Sequence, residues 1–125
     1  MKTILVIDDS DYARKTAQFL LQKDYNVILA VNGIDGIEKT IEHKPDLILL
    51  DILMCGMDGF ETCRQLKAHI ETKKIPVIFV TSMSERTTEG AGLAIGAADY
   101  ICKPYDGKVF LHRIKNALRK DENDS

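Results

Sequence analysis

The stretch Ile4-Leu5-Val6-Ile7-Asp8-Asp9-Ser10, ILVIDDS, runs an apolar, β-branched segment straight into two adjacent carboxylates. An unbroken apolar run, rather than an alternating one, marks a strand buried on both faces, as in a parallel sheet covered by helices. Ending such a strand in two like charges is costly. At about 4 Å and an effective dielectric near 20, two like charges repel by roughly 4 kcal/mol. Asp8 and Asp9 therefore ask for something that holds them together.

Outward from this stretch, short apolar runs alternate with helical patterns. Thr3–Ile7 is the first strand candidate, followed by Asn26–Ala30, Asp46–Leu50, Pro76–Val80 and a short Tyr100–Cys102. The first, third and fourth are continuously apolar. Between them, Ala13, Ala17, Leu20 and Leu21 form one helical stripe, and Ile34, Ile37 and Ile41 another. Cys63, Leu66 and Ile70 repeat the spacing, as do Leu111, Ile114 and Leu118. Ser10 is placed to cap the first helix, and Gly59 and Gly107 stand near the starts of the third and the last. Pro45 and Pro76 sit where a helix could not continue into the next strand. Ser84 to Ala97 carries Gly90, Gly92 and Gly96. Each glycine costs a helix interior about 1 kcal/mol, so a helix there would rest on packing through Leu93 and Ile95 and be the most mobile one. The alternation predicts an α/β doubly wound sheet, with chemistry gathered beyond the carboxyl ends of the strands.

Composition narrows the function classes. The 125 residues form one domain, 45% apolar and 29% charged, and the net charge of −2 offers no basic field for nucleic acid or an acidic membrane. No segment approaches the roughly 20 apolar residues of a membrane span. The first apolar run stops at Asp8, which is not a signal-peptide layout. Cys55, Cys63 and Cys102 lack metal-ligand spacing and read as reduced, half-buried thiols of a cytoplasmic protein. His43, His69 and His112 lie among charged neighbours on predicted helices and read as surface residues.

The strand ends carry the chemistry. The first strand ends in Asp8-Asp9, the third in Asp51 and the fourth in Thr81, and the last is followed by Lys103-Pro104. In a parallel sheet these groups converge on one edge. Three acids packed together must share protons or bind a cation. An all-oxygen set suits Mg²⁺, which is usually held by one or two carboxylates and keeps room for a phosphate oxygen. With Lys103 and Thr81 beside it, the set describes phosphoryl transfer onto an aspartate.

The stretches ILVIDDS, DLILLDILMCGMDGFE, IPVIFVTS and GAADYICKPYD, in this order and spacing, resemble the receiver domains of two-component response regulators of the chemotaxis-regulator type. The resemblance covers essentially the whole chain, with residues 1–120 as the receiver and 121–125 as a polar tail that should fray. It implies a flavodoxin-like sheet of five parallel strands in the order 2-1-3-4-5, with helices on both faces. It implies Asp51 as phosphoacceptor, Mg²⁺ bound by Asp8, Asp9, Asp51 and the Leu53 carbonyl, and Thr81 and Lys103 on the phosphoryl group. It further implies a cis Lys103–Pro104 bond and Tyr100 as an aromatic switch that rotates inward on activation. Thr81 would be drawn toward the new oxygens. The output surface would be the glycine-containing helix, the last strand and the last helix. Partners would be a sensor histidine kinase or phosphotransfer protein and a downstream target or lost output domain. Neither membrane nor direct nucleic-acid binding is expected, and phosphorylation-driven dimerisation is left open.

The chain departs from the family pattern at Cys55, where many members carry proline, and Leu53 and Met83 stand at positions that tune phosphoryl lifetime. Both are bulky and apolar, so neither can orient a water, and a long-lived phosphoaspartate is expected. Two other readings compete. Asp9-x-Asp11 after a strand also resembles the nucleophile motif of dehalogenase-like phosphatases, although Tyr12 breaks it and 125 residues leave no room for a substrate cap. A pseudo-receiver with a dead site is the third, and it disagrees with the presence of all five key positions.

Overall fold

A computed structural model describes residues 1–82, 90–93 and 95–124. Five strands, β1 (Thr3–Ile7), β2 (Asn26–Ala30), β3 (Leu47–Leu50), β4 (Val77–Thr81) and β5 (Asp99–Cys102), make one sheet in the order β2-β1-β3-β4-β5. Every neighbouring pair is parallel. Helices α1 (Asp11–Leu21), α2 (Gly33–His43) and α3 (Gly59–Ala68) and a C-terminal helix (Gly107–Asp124) connect or follow the strands.

The unbroken apolar runs are explained by burial on both sides. Ile4, Val6, Leu49, Ile78 and Val80 face α1 and the C-terminal helix, where Leu21, Phe110 and Ile114 complete one core. Their chain neighbours Leu5, Ile7, Ile48, Leu50 and Phe79 point the other way, onto Cys63 and Leu66 of α3 and Ile37 of α2. With a side-chain period of two and helices on each face, every apolar position of these runs is interior.

Helix starts follow the local chemistry. Ser10 Oγ accepts from the Ala13 N–H at 3.2 Å, Asn32 Oδ1 from Asp35 at 2.8 Å, and Asp58 Oδ1 from Glu61 at 2.9 Å. Each satisfies a donor the first helical turn leaves open.

Four boundaries differ from the sequence reading, the least of them β5, which begins one residue early at Asp99. Asp46 stays outside β3, because its carboxylate accepts from the Thr3 N–H at 2.7 Å and so ties the entry to β1. β4 is shifted by one residue: Pro76 has no N–H to give a ladder, although its carbonyl accepts from Ile48 at 3.0 Å. The C-terminal helix runs through Asp124, into residues read as a frayed tail, and Glu122 reaches Lys2 at 2.9 Å. Residues 90–93 are helical, and the rest of the predicted Ser84–Ala97 helix lies partly outside the described residues. No helix among the described residues is long and apolar enough to cross a membrane.

Candidate functional site

The carboxyl edge of the sheet gathers the groups that the strand ends carry. Asp8 follows β1 and is 4% exposed. Its Oδ1 accepts from the Ser10 N–H at 2.9 Å, and its Oδ2 from Lys103 Nζ at 2.7 Å. Asp51 follows β3 and is 8% exposed. Its Oδ1 accepts from the Ile52 N–H at 2.7 Å, and its Oδ2 faces Lys103 Nζ at 3.3 Å. Asp9 is exposed, and its Oδ2 accepts from the Cys55 N–H at 3.0 Å. One carboxylate oxygen from each of Asp8, Asp9 and Asp51 lies within 4.8 Å of the others.

Several elements set this geometry. The Lys103 N–H donates to the Thr81 carbonyl at 2.8 Å, which ties the turn after β5 to the end of β4. The Lys103–Pro104 peptide is cis. Gly59 opens α3 directly over the Asp51 carbonyl, where any Cβ would collide with backbone at Asp51 and Ile52. Only glycine lets the helix approach so closely. Thr81 is fully buried as the last residue of β4, level with Cys102.

Asp8 and Asp51 share one ammonium here, with Asp9 beside them. Burial opposes charge on Lys103, but Asp8 and Asp51 outweigh it and hold the lysine above its ordinary pKa. Burial raises Asp8, against the hydrogen bonds from Lys103 and Ser10 that favour its ionised form. For the pair, the lysine decides: one ammonium serving two carboxylates stays protonated. The remaining negative charge, presented entirely by oxygen atoms, fits a hard divalent cation such as Mg²⁺.

The structure thus brings Asp8, Asp9, Asp51 and Lys103 together, with Thr81 at the adjoining strand end. Leu53 sits two residues beyond Asp51 and is 55% exposed. Tyr100 is already inward, 4% exposed, with its ring 6.3 Å from Phe79. Met83 lies outside the described residues. Asp11 stands apart from the acid cluster, on α1, where it pairs with Arg14 and Lys15 at 3.1 Å each. That separates the Asp9-x-Asp11 pair on which the phosphatase reading leaned. His43, His69 and His112 are exposed, while Cys55 and Cys102 are exposed rather than half-buried.

Two neighbours escaped the sequence reading. Arg14 Nη1 donates to the Asp8 carbonyl at 2.7 Å. Tyr105 stacks on Phe110 with ring centres 4.2 Å apart, and burial, then Asp8 and Tyr12, raises its hydroxyl pKa. Nothing in a helical arginine or a turn tyrosine announces such contacts before the fold is closed.

The family model for the response regulator receiver domain matches residues 4–115. PilH of Pseudomonas aeruginosa is 40% identical over 119 residues, which cover 94% of this chain and 98% of PilH. The transcriptional regulatory protein AfsQ1 of Streptomyces coelicolor is 36% identical over 126 residues, and the match covers 100% of this chain and 55% of AfsQ1. The chain therefore spans about half the length of that relative and nearly all of PilH. Histidine kinase P4 of Formosa agariphila is 40% identical over 116 residues, which are 93% of this chain and 8% of the kinase. Among solved structures, the CheY-like receiver domain protein of Methanospirillum hungatei superposes with a TM-score of 0.91 at 28% identity, over 100% of this chain and 99% of that one. Chemotaxis protein CheY4 of Vibrio cholerae gives 0.89 at 26% identity, over 94% and 98%. A sheet in the order 2-1-3-4-5, an acid–lysine edge and these matches together make the chain a member of the response regulator receiver domain family of two-component signalling.

Proposed function

We propose that this receiver domain is a phosphorylation-dependent switch in which Asp51 accepts a phosphoryl group from a phosphohistidine of a sensor kinase or phosphotransfer protein. The observation that carries the reading is a buried Asp51 carboxylate 3.3 Å from Lys103 and within reach of two further acids. An Asp51 oxygen attacks phosphorus; the new O–P bond forms as the P–N bond breaks, and the imidazole leaves with the electron pair. Asp8, Asp9, Asp51 and the Leu53 carbonyl would hold Mg²⁺. When bound, that ion supplies positive charge to the phosphoryl oxygens. Lys103 adds its ammonium to the same oxygens, and Thr81 its hydroxyl.

The charge added at Asp51 draws Thr81 toward it and biases the surface made by residues 90–93, β5 and the C-terminal helix. Tyr100, already packed inward beside Phe79, is the side chain through which that surface senses the site. Its inward position supports a rest state that is partly set for activation. A downstream protein or an appended output module reads the surface, and the chain acts in the cytoplasm without turning over a free substrate. The long phosphoryl lifetime expected from Leu53 and Met83 rests on the sequence.

The test is intact mass after incubation with acetyl phosphate and Mg²⁺. One added phosphoryl group is expected in the wild type and none in Asp51→Asn. Absence of the adduct in the wild type with every phosphodonor tried would leave a binding module with an inert site.

A further inference from the structure

We infer that the backbone N–H of Cys55 is a positioning group for the divalent cation, acting through Asp9. The inference rests on the reading of the acid cluster as a Mg²⁺ site.

The three acids are not held alike. Asp8 is fixed by Ser10 and Lys103, and Asp51 by the Ile52 N–H and Lys103. Asp9 is exposed, and its carboxylate makes one hydrogen bond among the described residues, from the Cys55 N–H to Oδ2 at 3.0 Å. The donor comes from the loop between β3 and α3, across 46 positions of sequence. Gly56, at φ +79°, turns that loop immediately afterwards. With Oδ2 engaged, Oδ1 is the oxygen left for a cation, and the carboxylate no longer rotates freely in solvent. Mg²⁺ demands near-ideal octahedral placement of its ligands, so it gains from an acid whose orientation is set in advance.

Residue identity enters through the backbone. Many members of the family carry proline at this position, and proline has no N–H to donate. Cysteine restores the donor here. The thiol is incidental to the role, and any residue except proline would serve.

Isothermal titration of Mg²⁺ into the metal-free protein tests this without reference to phosphorylation. Cys55→Pro is expected to bind about tenfold more weakly, the scale of losing a group that orients a metal ligand. Cys55→Ala, which keeps the N–H, is expected to bind as the wild type does. Equal affinity in Cys55→Pro, or an equal loss in Cys55→Ala, overturns the inference. A second measurement does not depend on the proline variant folding. Hydrogen exchange of the Cys55 amide should be slow in the wild type, fast in Asp9→Ala, and still slow when the wild type is saturated with Mg²⁺. An amide released by Mg²⁺ would mean that it competes with the ion, which also overturns the inference. If instead Asp9→Asn binds Mg²⁺ as tightly as the wild type, the metal reading of the cluster fails, separately from the role of Cys55.

Discussion

The two edges of the sheet handle charge in opposite ways. At the amino edge charges meet single partners, ionic or backbone. Arg113 Nη1 pairs with Asp99 at 3.1 Å and also donates to the Tyr100 carbonyl, and Lys2 pairs with Glu122 at 2.9 Å. Lys67 Nζ donates to the carbonyls of Lys73 and Ile75 at 3.1 and 2.8 Å. At the carboxyl edge three carboxylates cluster, and Lys103 pairs with two of them. Matched charges hold a fold together at little gain. Unmatched ones cost stability, so a buried cluster of them marks a candidate ligand site. The contrast locates function without any motif.

Removing the ammonium should break the contrast most severely. Lys103→Met is expected to slow phosphorylation by acetyl phosphate about 100- to 1000-fold, the usual cost of losing one donor to developing phosphoryl or acyl charge. Stopped-flow or quench-flow mass analysis reads it. A rate within a few-fold of wild type would move Lys103 from chemistry to scaffolding.

Removing an acid should sharpen the contrast. Asp9→Asn takes one charge out of the cluster, and the metal-free protein is expected to gain about 0.5–1 kcal/mol as like-charge repulsion falls. Its stabilisation by Mg²⁺ should largely vanish. Urea melts with and without the ion check both arms. A loss of metal-free stability would show that Asp9 serves the fold.

The smallest effect belongs to the amino edge. Burial lowers the pKa of Lys67. The native state therefore gives up this proton at lower pH than the unfolded chain, whose lysine titrates near about 10.4. Between the two values the unfolded chain binds more protons, so this residue makes stability rise with pH across that interval. Lys67→Met should remove the rise. Subtracting its alkaline stability profile from the wild type's isolates the effect, and identical slopes would refute it.

Much of the architecture was legible before folding. The unbroken runs at Ile4–Ile7, Leu47–Leu50 and Val77–Val80 announced strands covered on both faces, and Ser10 announced the start of α1. What escaped was where chemistry between segments overrides local pattern. Asp46 is drawn out of β3 by the Thr3 N–H, and the acidic end of the chain stays helical with Glu122 on Lys2. The site was legible for a particular reason. In a parallel sheet every strand ends on the same edge, so polar residues placed at strand ends share that edge however the strands are ordered.

The residue types at the four strand ends that form the site, and the unbroken apolar runs that mark strands covered on both faces, were written in the sequence, because strands so covered belong to a parallel sheet whose carboxyl ends share one edge. The partners of each acid were not. That Asp8 takes Lys103 at 2.7 Å while Asp9 takes the amide of Cys55 depends on backbone groups that carry no residue signature and on loops whose paths are settled only when the helices pack.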